Sequence, residues 1–278
     1  MHTVAILGAG ALGAELARTL AARDRLSRVV LVDQADAVAA GKALDIRQAG
    51  PVEAADTRVD GTGRVDSVAE ADLVVVADRH NGGPWQGDAA LTLLGRVAAL
   101  APQAPLVLAG AGHHALMSAA VGELHLPARR LVGSAPVAAV AAARALVAPW
   151  LEASPADLAL PVLGLPPAWV LAWDRLASAG GPVDLPAHAA SRVEQALAAS
   201  WPPGPYGLAS AAAAVVMAML TSSRRRFCCF AATPFGGVRP VVFALPVLVG
   251  PGGIASAALP ELSPRQRVAL ESTVLARS

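Results

Sequence analysis

Lysine is almost missing from this chain: Lys42 is the only one in 278 residues, and arginine supplies nearly all the positive charge. Charged residues of either sign reach only 15%, and aromatic residues only 4%. Lys+Arg (22) and Asp+Glu (21) almost cancel, leaving a formal net charge of +1. That balance gives no electrostatic reason to expect nucleic acid or an anionic membrane as a partner. The two cysteines, Cys228 and Cys229, are adjacent in FCCF. FCCF reads as a strand, so the thiols should face opposite sides of a sheet and serve packing rather than redox or metal chemistry. No basic segment precedes the apolar residues of MHTVAIL, so no signal peptide is expected. The longest apolar run, around Leu208 to Leu220, is Ala-rich and shorter than the ~20 residues a membrane span requires. A cytoplasmic protein is the expectation.

Hydrophobic residues are plentiful, at 55%. That excludes disorder and argues for large buried interfaces. A chain of this length suits two closely packed domains, here placed at residues 1–134 and 135–278. The first half alternates strand and helix patterns. TVAILG, RVVLVD, TRVDGT, DLVVVAD, PLVLAG and RRLVGSA read as six strands. Helices are expected at Ala11 to Ala22, from the Ala-rich segment through Asp45, at Asp88 to Leu100 and at Ala115 to Leu124. Strands apolar on both faces with intervening helices predict a doubly wound parallel α/β sheet. The second half, from a helical stretch at Val137, predicts an α+β domain. It holds LALPVLGLPPAW, the Pro/Gly-containing GGPVDLPAH, a helix from about Leu208 to Thr221, and antiparallel strands turning at Pro234–Gly237 and Gly250–Gly253. Ser263 is placed to cap a terminal helix whose first position is Pro264.

TVAIL runs into Gly8-Ala-Gly10-Ala-Leu-Gly13 and then into a helix, the context that a G-x-G-x-x-G motif requires. The first glycine permits a tight turn, the second lets backbone approach a pyrophosphate, and the third lets helix and strand pack closely. The helix N-terminus offers N–H groups and a positive dipole end to phosphates. Asp33 ends the second strand, placed to accept hydrogen bonds from a ribose and to favour NAD over NADP. Ala11 and Leu12 at the helix start, and Ala77 at the end of the fourth strand, complete the expected cofactor contacts.

GAGALG, VDQADAVAAGKALDIRQAGPV, DTRVDGT, LPARRLVGSA and GVRPVVFALPVLVGPGGI together resemble the malate/lactate dehydrogenase family, on its malate dehydrogenase side. The resemblance implies a Rossmann domain followed by a mixed α+β substrate domain. It also implies NAD as cofactor, hydride transfer to or from a 2-hydroxy acid, and a homodimer or homotetramer. GKALDIRQAGPV resembles a helix that the family uses between subunits.

The resemblance stops at the residues that do chemistry. The family's proton-accepting histidine lies in a G-G-H-G-D loop where this chain has VLGLPPAW, which puts Pro166 at the histidine and Ala168 at the aspartate. The orienting Asp and carboxylate-binding Arg of L-D-S-A-R fall on Ala138-Ala139-Val140-Ala141-Ala142, with Arg144 shortly after. The R-x-K-P-G-M-x-R loop is replaced by the shorter ADRHNGGPWQGD, which keeps Arg79 and places Gln86 or Gly87 near the second arginine. The family's Asn-Pro-Val-Asp becomes AGAGHH. Proline cannot exchange a proton, and hydride removal from an alcohol needs a base.

His80 after the fourth strand, and His113 and His114 after the fifth, are possible replacements, since ligands of open α/β sheets bind at the carboxyl ends of strands. They could act as acid/base groups or metal ligands, or be ordinary loop and helix-capping residues. No metal is expected. Two readings stay open: an NAD-binding relative inactive or altered toward malate and lactate, and an oxidoreductase with a rebuilt active site for another substrate. Trp169, Trp173 and Trp201 are expected to pack into the space that polar groups would have filled.

Overall fold

The computed structural model describes residues 2–83, 85–237 and 240–275. Met1, Pro84, Val238 and Arg239, which belong to motifs quoted above, lie outside them. The first half alternates as its sequence predicts. It runs β1 (Thr3–Leu7), α1 (Ala11–Ala22), β2 (Arg28–Val32), α2 (Asp36–Glu53), β3 (Arg58–Thr62), β4 (Leu73–Val76), α3 (Gly87–Leu100), β5 (Leu106–Leu108), α4 (His113–Gly122) and β6 (Leu131–Gly133). These six strands lie parallel in the order β3-β2-β1-β4-β5-β6. The central strands are hydrocarbon on both faces: Val4, Ala5 and Ile6 are fully buried, as are Leu73, Val74 and Val75. Each fully buried Val, Leu or Ile contributes roughly 1.5–3 kcal/mol relative to an exposed one, so the sheet is the stable platform for its loops.

The second half continues with α5 (Ala135–Val147), β7 (Val162–Gly164), β8 (Trp169–Leu171), β9 (Ala177–Ser178), β10 (Gly181–Pro182), α6 (Ala187–Ala199) and α7 (Pro205–Leu220). It ends in β11 (Arg226–Pro234), β12 (Pro240–Gly250), β13 (Gly253–Ala257) and α8 (Pro264–Leu275). The parallel sheet does not stop at β6. Phe230 of β11 pairs with Gly133, and the order continues antiparallel through β12, β7 and β8. A side chain on Gly133 would run into Phe230, so the absent Cβ permits the join. One hydrophobic core spans both halves.

Three elements differ from their sequence expectations. α2 runs on to Glu53, through Pro51, because proline leaves only one carbonyl without its N–H partner. α6 lies in a stretch bounded by prolines and glycines, where only Ala189, Val193 and Leu197 form its buried seam. VLGLPPAW is a hairpin rather than a strand leading to a loop. The terminal helix does carry its cap: the Ser263 hydroxyl accepts from the Gln266 N–H (3.4 Å), and the Gln266 amide oxygen accepts from the Ser263 N–H (3.1 Å). Cys229 is buried and Cys228 half-buried. Burial raises the Cys228 thiol to about 11 and the Cys229 thiol well above its ordinary value, so both stay protonated and inert.

Candidate functional site

The carboxyl ends of β1, β2 and β4 bring the glycine turn and Asp33 together. β1 lies between β2 and β4, so the chain connections diverge there and leave a crevice. Gly8 turns the chain with φ +105, and a side chain on it would strike the backbone of Asp78. A side chain on Gly13 would strike the Gly8 carbonyl and approach Ala77. Ala77, fully buried, donates its N–H to the Leu7 carbonyl (2.9 Å) and locks β4 beside the turn. α1 then leaves with Leu12, Leu16 and Leu20 on its buried face.

Asp33, at the end of β2, is 4% exposed. Its Oδ2 accepts from the N–H groups of Ala9 (2.8 Å) and His80 (2.9 Å). Its Oδ1 accepts from the Ala35 N–H (3.0 Å) and lies 2.7 Å from His80 Nδ1. Burial opposes the charge, but the hydrogen bonds from Ala9, Ala35 and His80 outweigh it and hold the carboxyl below its usual range.

Asp78 is the neighbour that sequence reading passed over. Its Oδ2 accepts from the Leu12 N–H (3.1 Å), its Oδ1 from the Gly13 N–H (2.9 Å), and its carbonyl from the Gly10 N–H (3.0 Å). A side chain on Gly10 would run into that carboxylate. The single lysine closes the other side, with Lys42 Nζ donating to the carbonyls of Ala9 (2.6 Å) and Gly10 (3.2 Å). The signal for Asp78 was its position, one residue past Ala77. Its partners became visible only once β4 was known to lie beside β1.

The three histidines do not converge on one site. His80 is paired with Asp33. His114 turns toward Phe230, with ring centroids 5.3 Å apart. His113, 2% exposed at the start of α4, accepts the Gly110 N–H at Nδ1 (3.0 Å), which places its own proton on Nε2. Nε2 is buried with no hydrogen-bond partner among the described residues. Burial, helped by the neighbouring His114, lowers its pKa from 6.5 to about 4, so the ring is neutral at neutral pH. His113 lines a cavity of about 530 Å³ with Ala77, Asp78, Gln86, Trp201 and Leu208, and no Arg or Lys is among the described residues around it. Arg79 instead lies over the Trp85 ring, 5.5 Å from its centroid, and Arg144 donates to the Ala156 carbonyl (2.5 Å). Among the described residues, no group of three or more His, Cys, Asp or Glu could hold a metal.

Apolar and aromatic groups pack around the VLGLPPAW hairpin. Leu165 is 4% exposed, and Pro166 is buried. Trp169 meets Trp201 edge-on with centroids 4.9 Å apart and stacks on Phe230 at 6.1 Å. Ala138 and Ala139 are buried in the same core. Trp173 remains partly exposed, its Nε1 donating to Glu194 (2.8 Å).

Residues 2–86 match the NAD-binding domain model of lactate/malate dehydrogenases. Its amino-terminal segment thus carries the NAD-binding domain of that family. A malate dehydrogenase of Thermomicrobium roseum is 34% identical over 170 residues, and one of Roseiflexus castenholzii is 29% identical over the same length. Each match covers 58% of this chain and 55% of the relative, so the chain spans about half the length of the curated relatives it matches. A lactate dehydrogenase of Cryptosporidium parvum, solved with lactic acid and NAD, superposes with a TM-score of 0.88 at 20% identity, covering 98% of this chain and 94% of that one. A malate dehydrogenase of Salinibacter ruber gives 0.84 at 24% identity, with 98% and 93% covered.

Residues 2–86 therefore form an NAD-binding domain of the lactate/malate dehydrogenase type. Its framework fits the cofactor: the glycine turn, the N-terminal end of α1 and an acid ending β2 stand together. The hydrogen-bonding groups of that framework, however, are already engaged by Asp78 and His80.

Proposed function

We propose that this chain is an NAD(H)-binding lactate/malate dehydrogenase relative that does not interconvert malate or lactate at the family's usual rate. In this reading Gly8, Gly10, Ala11, Leu12, Gly13, Asp33 and Ala77 form the cofactor site, residues 1–134 the cofactor domain and residues 135–278 the substrate-type domain. The observation that carries it is the cavity beside the glycine turn, whose described lining holds no cation and no titratable side chain besides Asp78 and the buried His113. A 2-oxo acid needs a cation for its carboxylate and a proton donor for its carbonyl, and acid/base catalysis alone supplies ~10²–10⁴-fold in rate. Pro166, Ala139 and Ala142 supply neither. A cytoplasmic location is proposed alongside it, and a homodimer or homotetramer rests on the resemblance, including that of Gly41 to Val52 to an interface helix.

The test is NADH oxidation by purified protein with oxaloacetate or pyruvate. Turnover should be negligible, and Pro166→His should not rescue it, because the orienting acid and the arginines would still be missing. Ordinary dehydrogenase turnover would sink the reading.

A second reading, an oxidoreductase rebuilt for another substrate, is favoured by His113. Its Nε2–H is an unused donor beside a cavity whose described lining holds no cation. NADH-dependent reduction of an uncharged carbonyl compound, lost in His113→Leu while NADH still binds, would establish it in place of the first.

A further inference from the structure

We propose that the segment Asp78–Gly83 is an internal occupant of the cofactor seat, and that NAD(H) binds only when this segment swings out. The inference rests on the NAD(H)-binding reading above and concerns how that site is gated.

Two independent contacts carry it. The first is at the phosphate end. A helix start binds a phosphate through its free N–H groups and its dipole. Here the N–H groups of Leu12 and Gly13 each donate to a different oxygen of the Asp78 carboxylate, at 3.1 and 2.9 Å. The space left open by Gly10, through which backbone would approach a pyrophosphate, is filled by the same carboxylate. Asp78 thus sits as a phosphate oxygen pair would, carrying the same sign of charge, and the two anions exclude each other.

The second contact is at the ribose end. An ionised carboxylate has about four acceptor positions. Those of Asp33 are taken by Ala9 N–H, Ala35 N–H, His80 N–H and His80 Nδ1. Two of these four come from His80, two residues beyond Asp78. A single short segment therefore closes both ends of the seat, and freeing Asp33 for a ribose hydroxyl requires the same movement that frees Leu12 and Gly13.

The segment is built to leave as a unit. It is closed on itself by Gly82 N–H to the Arg79 carbonyl (2.8 Å) and Arg79 N–H to the Gly83 carbonyl (3.2 Å). Gly82 and Gly87, at φ +78 and +65, provide conformations that other residues rarely adopt. The His80 side chain is 38% exposed, whereas Ala77 before the segment is fixed in the core. When the competent form is a fraction of the population, the apparent dissociation constant rises by the inverse of that fraction.

The experiment is calorimetric titration of the wild type, Asp78→Asn and Asp78→Ala with NADH, ADP and adenosine, alongside thermal melting of each protein. Asp78→Ala should bind NADH and ADP at least tenfold more tightly than the wild type, although its melting temperature falls because α1 has lost its capping carboxylate. Adenosine, which has no phosphate, should gain much less. Asp78→Asn keeps the side chain's size and one acceptor oxygen, so it guards against misfolding of the alanine variant and should fall between the two. A merely structural Asp78 would lower stability and affinity together. Equal or weaker NADH affinity in folded variants overturns the gate while leaving the cofactor reading in place. Failure of every protein, wild type included, to bind NADH at millimolar concentration overturns both.

Discussion

The two ends of the cleft have treated polar groups in opposite ways. At the glycine-turn end Asp33, Asp78, Lys42 and His80 are all present, and their described hydrogen bonds run to the protein's own backbone and to one another. At the hairpin end Trp169, Trp201, Phe230, Leu165 and Pro166 are packed where the family resemblance would place a histidine and its acid. Either arrangement is a stable answer to the same problem. A buried charge without a partner is costly, so it must be satisfied internally or replaced by hydrocarbon of similar volume. The difference matters for reversibility. Hydrogen bonds can be exchanged for those of a ligand, whereas a packed aromatic cluster can be vacated only by losing its burial energy.

That contrast breaks most visibly in the aromatic cluster. Trp169→Ala should destabilise the protein by about 3–5 kcal/mol, the range for removing a large buried aromatic, measured by urea denaturation. A loss under 1 kcal/mol would mean that the hairpin end is loosely filled and still open to a ligand.

The next effect concerns His113, the polar group between the two regions. Above pH 6.5 it is neutral whether the chain is folded or not. Between pH 6.5 and about 4 the unfolded chain takes up a proton that the buried ring refuses, so stability falls as pH falls through that window. The full loss is about 3 kcal/mol by pH 4. His113→Asn, which keeps an acceptor for Gly110, should flatten this slope; an unchanged slope would show that His113 is not protected from solvent. Asp33 acts in a separate, lower window. Its depressed carboxyl contributes stability that is present above 3.8 and is lost as pH falls through the folded value. Asp33→Asn should therefore reduce the acid sensitivity below pH 4 and leave the higher window unaltered.

The smallest effect is at the outer cover of the hairpin. α8 packs on β7 and β8, and Gln266 Nε2 donates to the Leu171 carbonyl (3.4 Å). Ser263→Ala removes the cap and should cost about 1 kcal/mol. Hydrogen exchange should then quicken in α8 but not in α1; quickening at both would mean that the two ends open together.

The alternating strands and helices of the first half were legible because their hydrophobic patterns are local and their glycine turn has a fixed spacing. The cap at Ser263 was legible for the same reason. α6 was not, since its short alanine seam sits among prolines and glycines that also suit loops. The sequence by itself determined the Rossmann framework, the place of Asp33 and the loss of protonatable groups from VLGLPPAW, all properties of residues near one another in the chain. Tertiary structure alone decided which groups meet. It sent His80 to Asp33, His114 to Phe230 and His113 to the cavity, and it laid Asp78 against Leu12 and Gly13. The last of these depends on β4 lying beside β1 across more than sixty residues of chain, a neighbourhood set by the packing of the whole sheet rather than by any local pattern.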